Sequence, residues 1–248
     1  MRPDLIVLFF ILALCFLSMA IYGARHDHSA HDPLESKQRG TFVLGSFVRS
    51  WFLWLIGPPV GLAIKAGLTP TFFNLLGVAG GTASGLAFAL GSTVAGGWLI
   101  LFGGIADVFD GRIARTQGLA SPKGAFLDST LDRFAEVGMF AGLAVYFHAR
   151  PLMAMTVALA LGGSLLVSYA RARGESQGVV CKVGVMQRTE RLLLVGFAGL
   201  LDPSFSDWAG KAQGTFLGLI IALIAVGTMG TAIYRTVWIT KRLPDAGA

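Results

Sequence analysis

Residues 93–132 read TVAGGWLILFGGIADVFDGRIARTQGLASPKGAFLDSTLD. The stretch opens as an apolar run without charge and then carries four aspartates, Asp107, Asp110, Asp128 and Asp132. Asp107, Asp110, Gly111, Ala114 and Arg115 stand at offsets 0, 3, 4, 7 and 8, which is one stripe of a helix. Asp128 and Asp132 are four apart and share a face in the same way. Between the two segments, about 116–122, Gly118 and Ser121-Pro122 are turn residues. A connection this short makes the flanking helices antiparallel neighbours, so their acidic faces can meet.

Charge at the centre of a membrane helix costs roughly 2.5–3.5 kcal/mol per residue on insertion scales. Clustered carboxylates at span ends must pair with bases or bind cations. Four carboxylates with too few local bases form a hard-cation site, and oxygen-only ligands favour magnesium, manganese or calcium over zinc or copper. Gly111 and Ala114 leave room for a phosphate group to approach the helix, and Arg115 can fork onto a phosphate oxygen. Two metals about 3.5–4 Å apart would stabilise both partners of an in-line displacement at phosphorus.

Working outward, the chain is 54% hydrophobic and 14% charged over 248 residues, against about 25% charge in soluble chains. Residues 5–24, 66–106, 151–170 and 212–234 carry no charge. A span needs roughly 20 apolar residues, and the second of these runs is long enough for two. The expected class is an all-α polytopic membrane protein. Six spans are expected, at about 70–90, 93–115, 123–147, 151–172, 188–205 and 213–236; the fifth is the weakest, since only 192–201 is free of charge. Gly77, Gly81 and Gly85 repeat every fourth residue, a face for close helix packing.

Ahead of this core, residues 1–40 are expected to hold an apolar anchor and a polar linker. The run 5–23 could be a signal peptide, since Ser18-Met19-Ala20 resembles a cleavage region, but it is long for a signal core and more spans follow, which favours an anchor. His26, His28 and His31 read as part of a solvated linker, because no second ligand cluster fixes a metal geometry. Residues 41–64, with Trp51, Trp54, Arg49 and the break Pro58-Pro59, suggest a helix lying at the interface. Cys15 and Cys181 imply neither a disulfide framework nor a thiolate metal site.

The net charge of +6 reads as topology and attraction to anionic lipid, not as nucleic-acid binding, since no other feature of a nucleic-acid binder is present. Placing the 111–123 and 171–191 connections and the C-terminus on one side gathers Arg112, Arg115, Lys123, Arg171, Arg173, Lys182, Arg188, Arg191, Arg235, Lys241 and Arg242 there. That side is expected to be cytoplasmic.

The order D-x2-D-G-x2-A-R-x8-G-x3-D-x3-D runs Asp107, Asp110, Gly111, Ala114, Arg115, Gly124, Asp128, Asp132. It resembles the signature of the CDP-alcohol phosphatidyltransferase family at every fixed position, and the resemblance covers about 65–240. It implies a six-helix membrane core preceded by an interfacial helix, a homodimer, and a cytoplasmic-facing site in the cell inner membrane. It also implies two divalent ions, Mg2+ or Mn2+, a CDP-linked lipid donor and a small alcohol or sugar-phosphate acceptor among membrane lipids. Asp107, Asp110 and Asp128 look like metal ligands. Asp132 looks like the base for the acceptor hydroxyl, near or on the metal. Asp107, Gly111, Ala114 and Arg115 look like nucleotide contacts. One departure lies at Thr69-Pro70-Thr71-Phe72-Phe73-Asn74, where the family pattern T-P-N-x-x-T has its Asn and Thr exchanged; Asn74 is expected to keep a tuned nucleotide contact.

The segment Ser168-Tyr169-Ala170-Arg171-Ala172-Arg173, followed by Glu175, Gly178 and Arg188-Thr189-Glu190-Arg191, is similar to one in phosphatidylinositol-phosphate synthases. Gly174 stands where that pattern has Ala. The resemblance implies an acceptor-phosphate pocket of Arg171, Arg173, Arg188 and Arg191, with Arg235 as a further member. Inositol phosphate is then the expected acceptor, with glycerol phosphate, serine or another polyol as alternatives. A divalent-cation transporter would spread acids midway along several spans; here they sit in one hairpin. A catalytically dead relative is disfavoured because nothing in the motif has decayed.

Overall fold

The computed structural model describes residues 3–25, 45–181 and 183–244. Among these residues every regular element is helical: α1 (Pro3–Arg25), α2 (Gly45–Lys65), α3 (Pro70–Ala89), α4 (Thr93–Thr116), α5 (Pro122–Tyr146), α6 (Pro151–Ser176), α7 (Arg188–Trp208) and α8 (Thr215–Thr240). The histidine tract at 26–31 lies outside the described residues. The chain divides into two units, Met1–Gly67 and Leu68–Ala248.

In the first unit, α1 turns large apolar side chains outward, Phe9, Phe10 and Phe16 among them. Trp51 Nε1 donates to Ser18 Oγ at 3.1 Å, and Tyr22 packs against Phe47 and Trp54. The expected break at Pro58-Pro59 does not occur: α2 runs through both prolines to Lys65. The two missing N–H groups remove intrahelical bonds, but the flanking turns keep the helical path.

The second unit holds α3 to α8. Its helix starts follow local chemistry. Pro70 and Pro122 open α3 and α5, where a missing N–H is harmless; Thr69 Oγ1 accepts from Phe72 N at 3.3 Å and Ser121 Oγ from Gly124 N at 3.1 Å. The α4–α5 turn closes through Gly118, whose φ of 68° suits glycine. Gln187 and Glu190 form a capping box on α7. Gly214 starts α8, and its N–H and that of Leu217 donate to the buried Asp202 carboxylate at 2.7 and 3.0 Å.

α3 packs on α4 and α5, α4 on α7, and α6 on α8. Glycine sets these distances. A Cβ on Gly80 would stand 2.9 Å from the Gly103 Cα of α4, and one on Gly81 2.7 Å from the Ala135 Cβ of α5. A Cβ on Gly85 would overlap the Gly138 carbonyl, and one on Gly142 would overlap Gly85. Hydrocarbon offers no hydrophobic drive between helices, so close contact of small residues supplies much of the cohesion. Phe88, Met139, Phe140, Leu143, Phe147, Leu217, Ile221 and Ile224 fill the remaining core.

Among the described residues, five helices are long and apolar enough to cross a membrane: α1, α3, α4, α6 and α8. α5 and α7 are more charged. At 1.5 Å per residue, their 25 and 21 residues still reach about 37 and 31 Å, against a hydrocarbon core of about 30 Å. α6 extends four residues past its expected end, to Ser176. Arg171 and Arg173 therefore stand on its last turns and not in a loop, and Arg171 pairs with Glu175 at 2.9 Å in the helix-favouring i,i+4 register.

Candidate metal and phosphoryl-transfer site

α4 ends and α5 begins at one short turn, which brings the two acidic stripes together. Asp107, Asp110 and Asp128 each present an oxygen within 4.8 Å of the others. Asp110 is buried. Asp110 Oδ2 and Asp128 Oδ1 are inaccessible to solvent and accept no hydrogen bond within the protein. Buried carboxylate oxygens left without donors are costly. A cluster of hard oxygen donors with two orphaned atoms fits a divalent cation.

Asp132 lies beside this cluster and is engaged differently. Arg188, the first residue of α7, places Nη1 2.8 Å from Asp107 Oδ1 and 2.9 Å from Asp132 Oδ1. Asp132 Oδ2 also lies 3.6 Å from Arg133 Nη1, while Arg133 donates to the Ser129 carbonyl. Arg188 is largely enclosed, and its Nε is buried without a partner.

Arg115 folds across the α4 backbone: a Cβ on Gly111 would lie 3.2 Å from both of its terminal nitrogens. Ala114 is half-buried on the same stripe. On α3, Phe73 packs against Phe109 of α4 with ring centroids 5.2 Å apart; Asn74 follows Phe73 on α3 and is half-buried.

The remaining expected phosphate ligands are placed unequally. Arg191 is fully buried, where its Nε donates to Glu136 Oε1 at 2.9 Å and its Nη1 to the Met186 carbonyl at 2.7 Å. Arg235 donates to the carbonyls of Val183 and Val167 at 2.8 and 2.9 Å. Arg171 and Arg191 lie near enough to Arg235 to act on it electrostatically. Arg173 lines a cavity of about 630 Å3 between α6 and α8, walled by Leu166, Tyr169, Met229, Ile233 and Ile239; none of the four aspartates lines it.

Glu136 is the residue the motif reading passes over. Its position, four beyond Asp132 and eight beyond Asp128, continues the acidic stripe of α5 and is the signal that marks it.

Fold and site together define a polytopic membrane enzyme with a carboxylate cluster suited to phosphoryl transfer. The chain belongs to the CDP-alcohol phosphatidyltransferase family, whose model matches residues 68–241. It is 33% identical over 219 residues to a phosphatidylinositol phosphate synthase of Streptomyces avermitilis, covering 84% of this chain and 87% of that protein. It is 34% identical over 194 residues to an archaetidylinositol phosphate synthase of Methanothermobacter thermautotrophicus, covering 73% and 88%. Among solved structures it is similar to Mycobacterium tuberculosis phosphatidylinositol phosphate synthase in complex with manganese and citrate, with a TM-score of 0.67, 28% identity and coverage of 77% and 91%. The CDP-DAG-bound form of that protein matches with a TM-score of 0.64 and 28% identity, covering 73% and 92%.

Proposed function

We propose that this chain transfers a phosphatidyl group from CDP-diacylglycerol to inositol phosphate and releases CMP. The observation that carries the acceptor reading is Arg188: it stands within hydrogen-bond distance of both Asp107 and Asp132. A guanidinium binds phosphate in bidentate fashion. One residue therefore brings a phosphate-binding group next to the carboxylate best placed to act as base. Identity to two inositol-phosphate-type synthases along most of the chain supports the same reading.

Asp107, Asp110 and Asp128 would hold two divalent ions, Mg2+ or Mn2+, which when bound would supply positive charge for the pyrophosphate during displacement at phosphorus. Gly111 and Ala114 admit the nucleotide to the α4 face, Arg115 binds its phosphate, and Asn74 adds a polar contact. Asp132 takes the proton of the acceptor hydroxyl. The acceptor oxygen bonds to the phosphorus that carries diacylglycerol, the bond from that phosphorus to the bridging oxygen breaks, and CMP leaves with the electron pair. Arg188 holds the acceptor phosphate, with Arg171 at the pocket's outer side. Arg191 and Arg235 support the pocket from behind, because their donors are committed within the protein.

The site faces the cytoplasm in this reading, in the inner membrane, because the basic residues gather at the helix ends nearest the aspartates. α5 and α7 cross the membrane with their charges turned inward, and the enzyme works as a homodimer. The deciding experiment supplies purified protein with CDP-diacylglycerol, Mg2+ or Mn2+, and a panel of inositol phosphate, inositol, glycerol phosphate and serine. CMP release with inositol phosphate and a product of matching mass is expected. Turnover with another acceptor alone would overturn the assignment.

A further inference from the structure

Arg188 and Arg191 leave the first turn of α7 three residues apart and reach Asp132 and Glu136, four residues apart on α5. The inner rung is sealed: Glu136 is 0% exposed and Arg191 1%. The main packing partners of α5 are α3 and α6, and those of α7 are α4 and α8. The two rungs therefore join helices that are not principal neighbours.

Stability alone is a poor reason for such a pair. Burying two charges costs desolvation, and apolar residues of similar volume often serve as well or better. The arginine fork does something that such residues cannot. While Nε holds Glu136, Nη1 holds the Met186 carbonyl at 2.7 Å. Met186 has φ of 59°, a left-handed backbone uncommon outside glycine, and it lies two residues before Arg188. The carbonyls just upstream are held from α8: Val183 by Arg235 at 2.8 Å and Val185 by Thr231 Oγ1 at 2.7 Å. The Arg191 bond is thus the last link in this series before α7 begins.

We propose that Glu136 is a positioning residue for the transfer reaction. Through Arg191 it fixes the Met186 carbonyl and the entry into α7, so that the Arg188 guanidinium stands between Asp107 and Asp132. The proposal rests on the reading of Arg188 as a ligand of the acceptor phosphate.

Two full-length variants test it in purified, lipid-supplied protein. Arg191→Lys keeps a cation for Glu136 but cannot also hold Met186. The double variant Glu136→Met with Arg191→Met removes both charges at similar volume and keeps thermal stability near that of the wild type. Because a displaced Arg188 loses part of its charge-assisted bonding to the acceptor phosphate, each variant is expected to raise KM for inositol phosphate at least ~10-fold. KM for CDP-diacylglycerol should stay within about twofold, since the α4 face is untouched. A purely structural pair would change the yield or melting temperature and leave the acceptor KM alone. A wild-type acceptor KM in the folded double variant or in Arg191→Lys overturns the proposal, and Arg191→Lys decides alone if the double variant does not fold. Wild-type protein separates the two layers: no turnover with inositol phosphate overturns the acceptor reading before any variant is made.

Discussion

Replacing Asp110 by asparagine should weaken metal binding and stabilise the metal-free protein at once. Asp110 is 5% exposed, its Oδ2 has no partner, and Asp107 and Asp128 present oxygens within 4.8 Å. Asparagine keeps the shape and one oxygen ligand but removes a unit of charge. At an effective dielectric of 20 and 4 Å, one unit of charge against another is worth about 4 kcal/mol. A divalent ion doubles that figure, and the retained amide oxygen and partial solvent access return part of it. About 4 kcal/mol is left, or roughly 1000-fold in affinity at 1.4 kcal/mol per decade. Without metal the sign reverses, because the variant has one fewer carboxylate in a mutually repelling cluster. Titration of Mn2+ into detergent-purified protein, followed by electron paramagnetic resonance, reads the first effect. Thermal unfolding in chelator reads the second. Unchanged Mn2+ affinity, or a lower melting temperature in chelator, would show that Asp110 is not a charged ligand of a repelling carboxylate cluster.

Other expectations follow from single contacts. Arg188→Gln should raise KM for inositol phosphate about 100-fold, matching the roughly 3 kcal/mol upper end of a charged hydrogen bond, as measured by CMP release across acceptor concentrations. Asp132→Asn should lower kcat at least ~100-fold, the lower end for general-base catalysis, while CDP-diacylglycerol binding measured by calorimetry stays near wild type. Gly85→Leu should prevent assembly of α3 on α5, because even a Cβ overlaps Gly138; overpacking of this kind exceeds the usual 1–3 kcal/mol, and size-exclusion chromatography should show loss of the folded peak. Asp202→Ala leaves Gly214 N and Leu217 N without their acceptor and should cost about 2–3 kcal/mol, seen as a lower melting temperature with the Mn2+ affinity retained.

The aspartates were legible because their spacing is a local property. Offsets of three and four fix a face wherever the helix goes, and a short turn fixes the neighbour. The glycine repeat was legible for the same reason, although the sequence does not say which helix each glycine meets: Gly81 and Gly85 take α5, while Gly77 faces Gly103 of α4. The arginines were harder. Arg188, Arg191, Arg171, Arg173 and Arg235 look alike as sequence, and only tertiary contact sorts them. Glu136 and Arg191 are 55 residues apart, and no local period links them. The path of α2 through Pro58-Pro59 is not legible in the sequence, because two adjacent prolines break most helices. α6 runs beyond the apolar span at about 151–172 because charged residues also continue a helix, and Arg171 pairs with Glu175 there.

Anomalous diffraction from crystals grown with Mn2+ tests directly whether α4 and α5 share a cation site. Manganese density is expected between the two helices, bound by carboxylate oxygens of Asp107, Asp110 and Asp128 together. Manganese held by one helix alone, or found only at other residues, rules the shared site out.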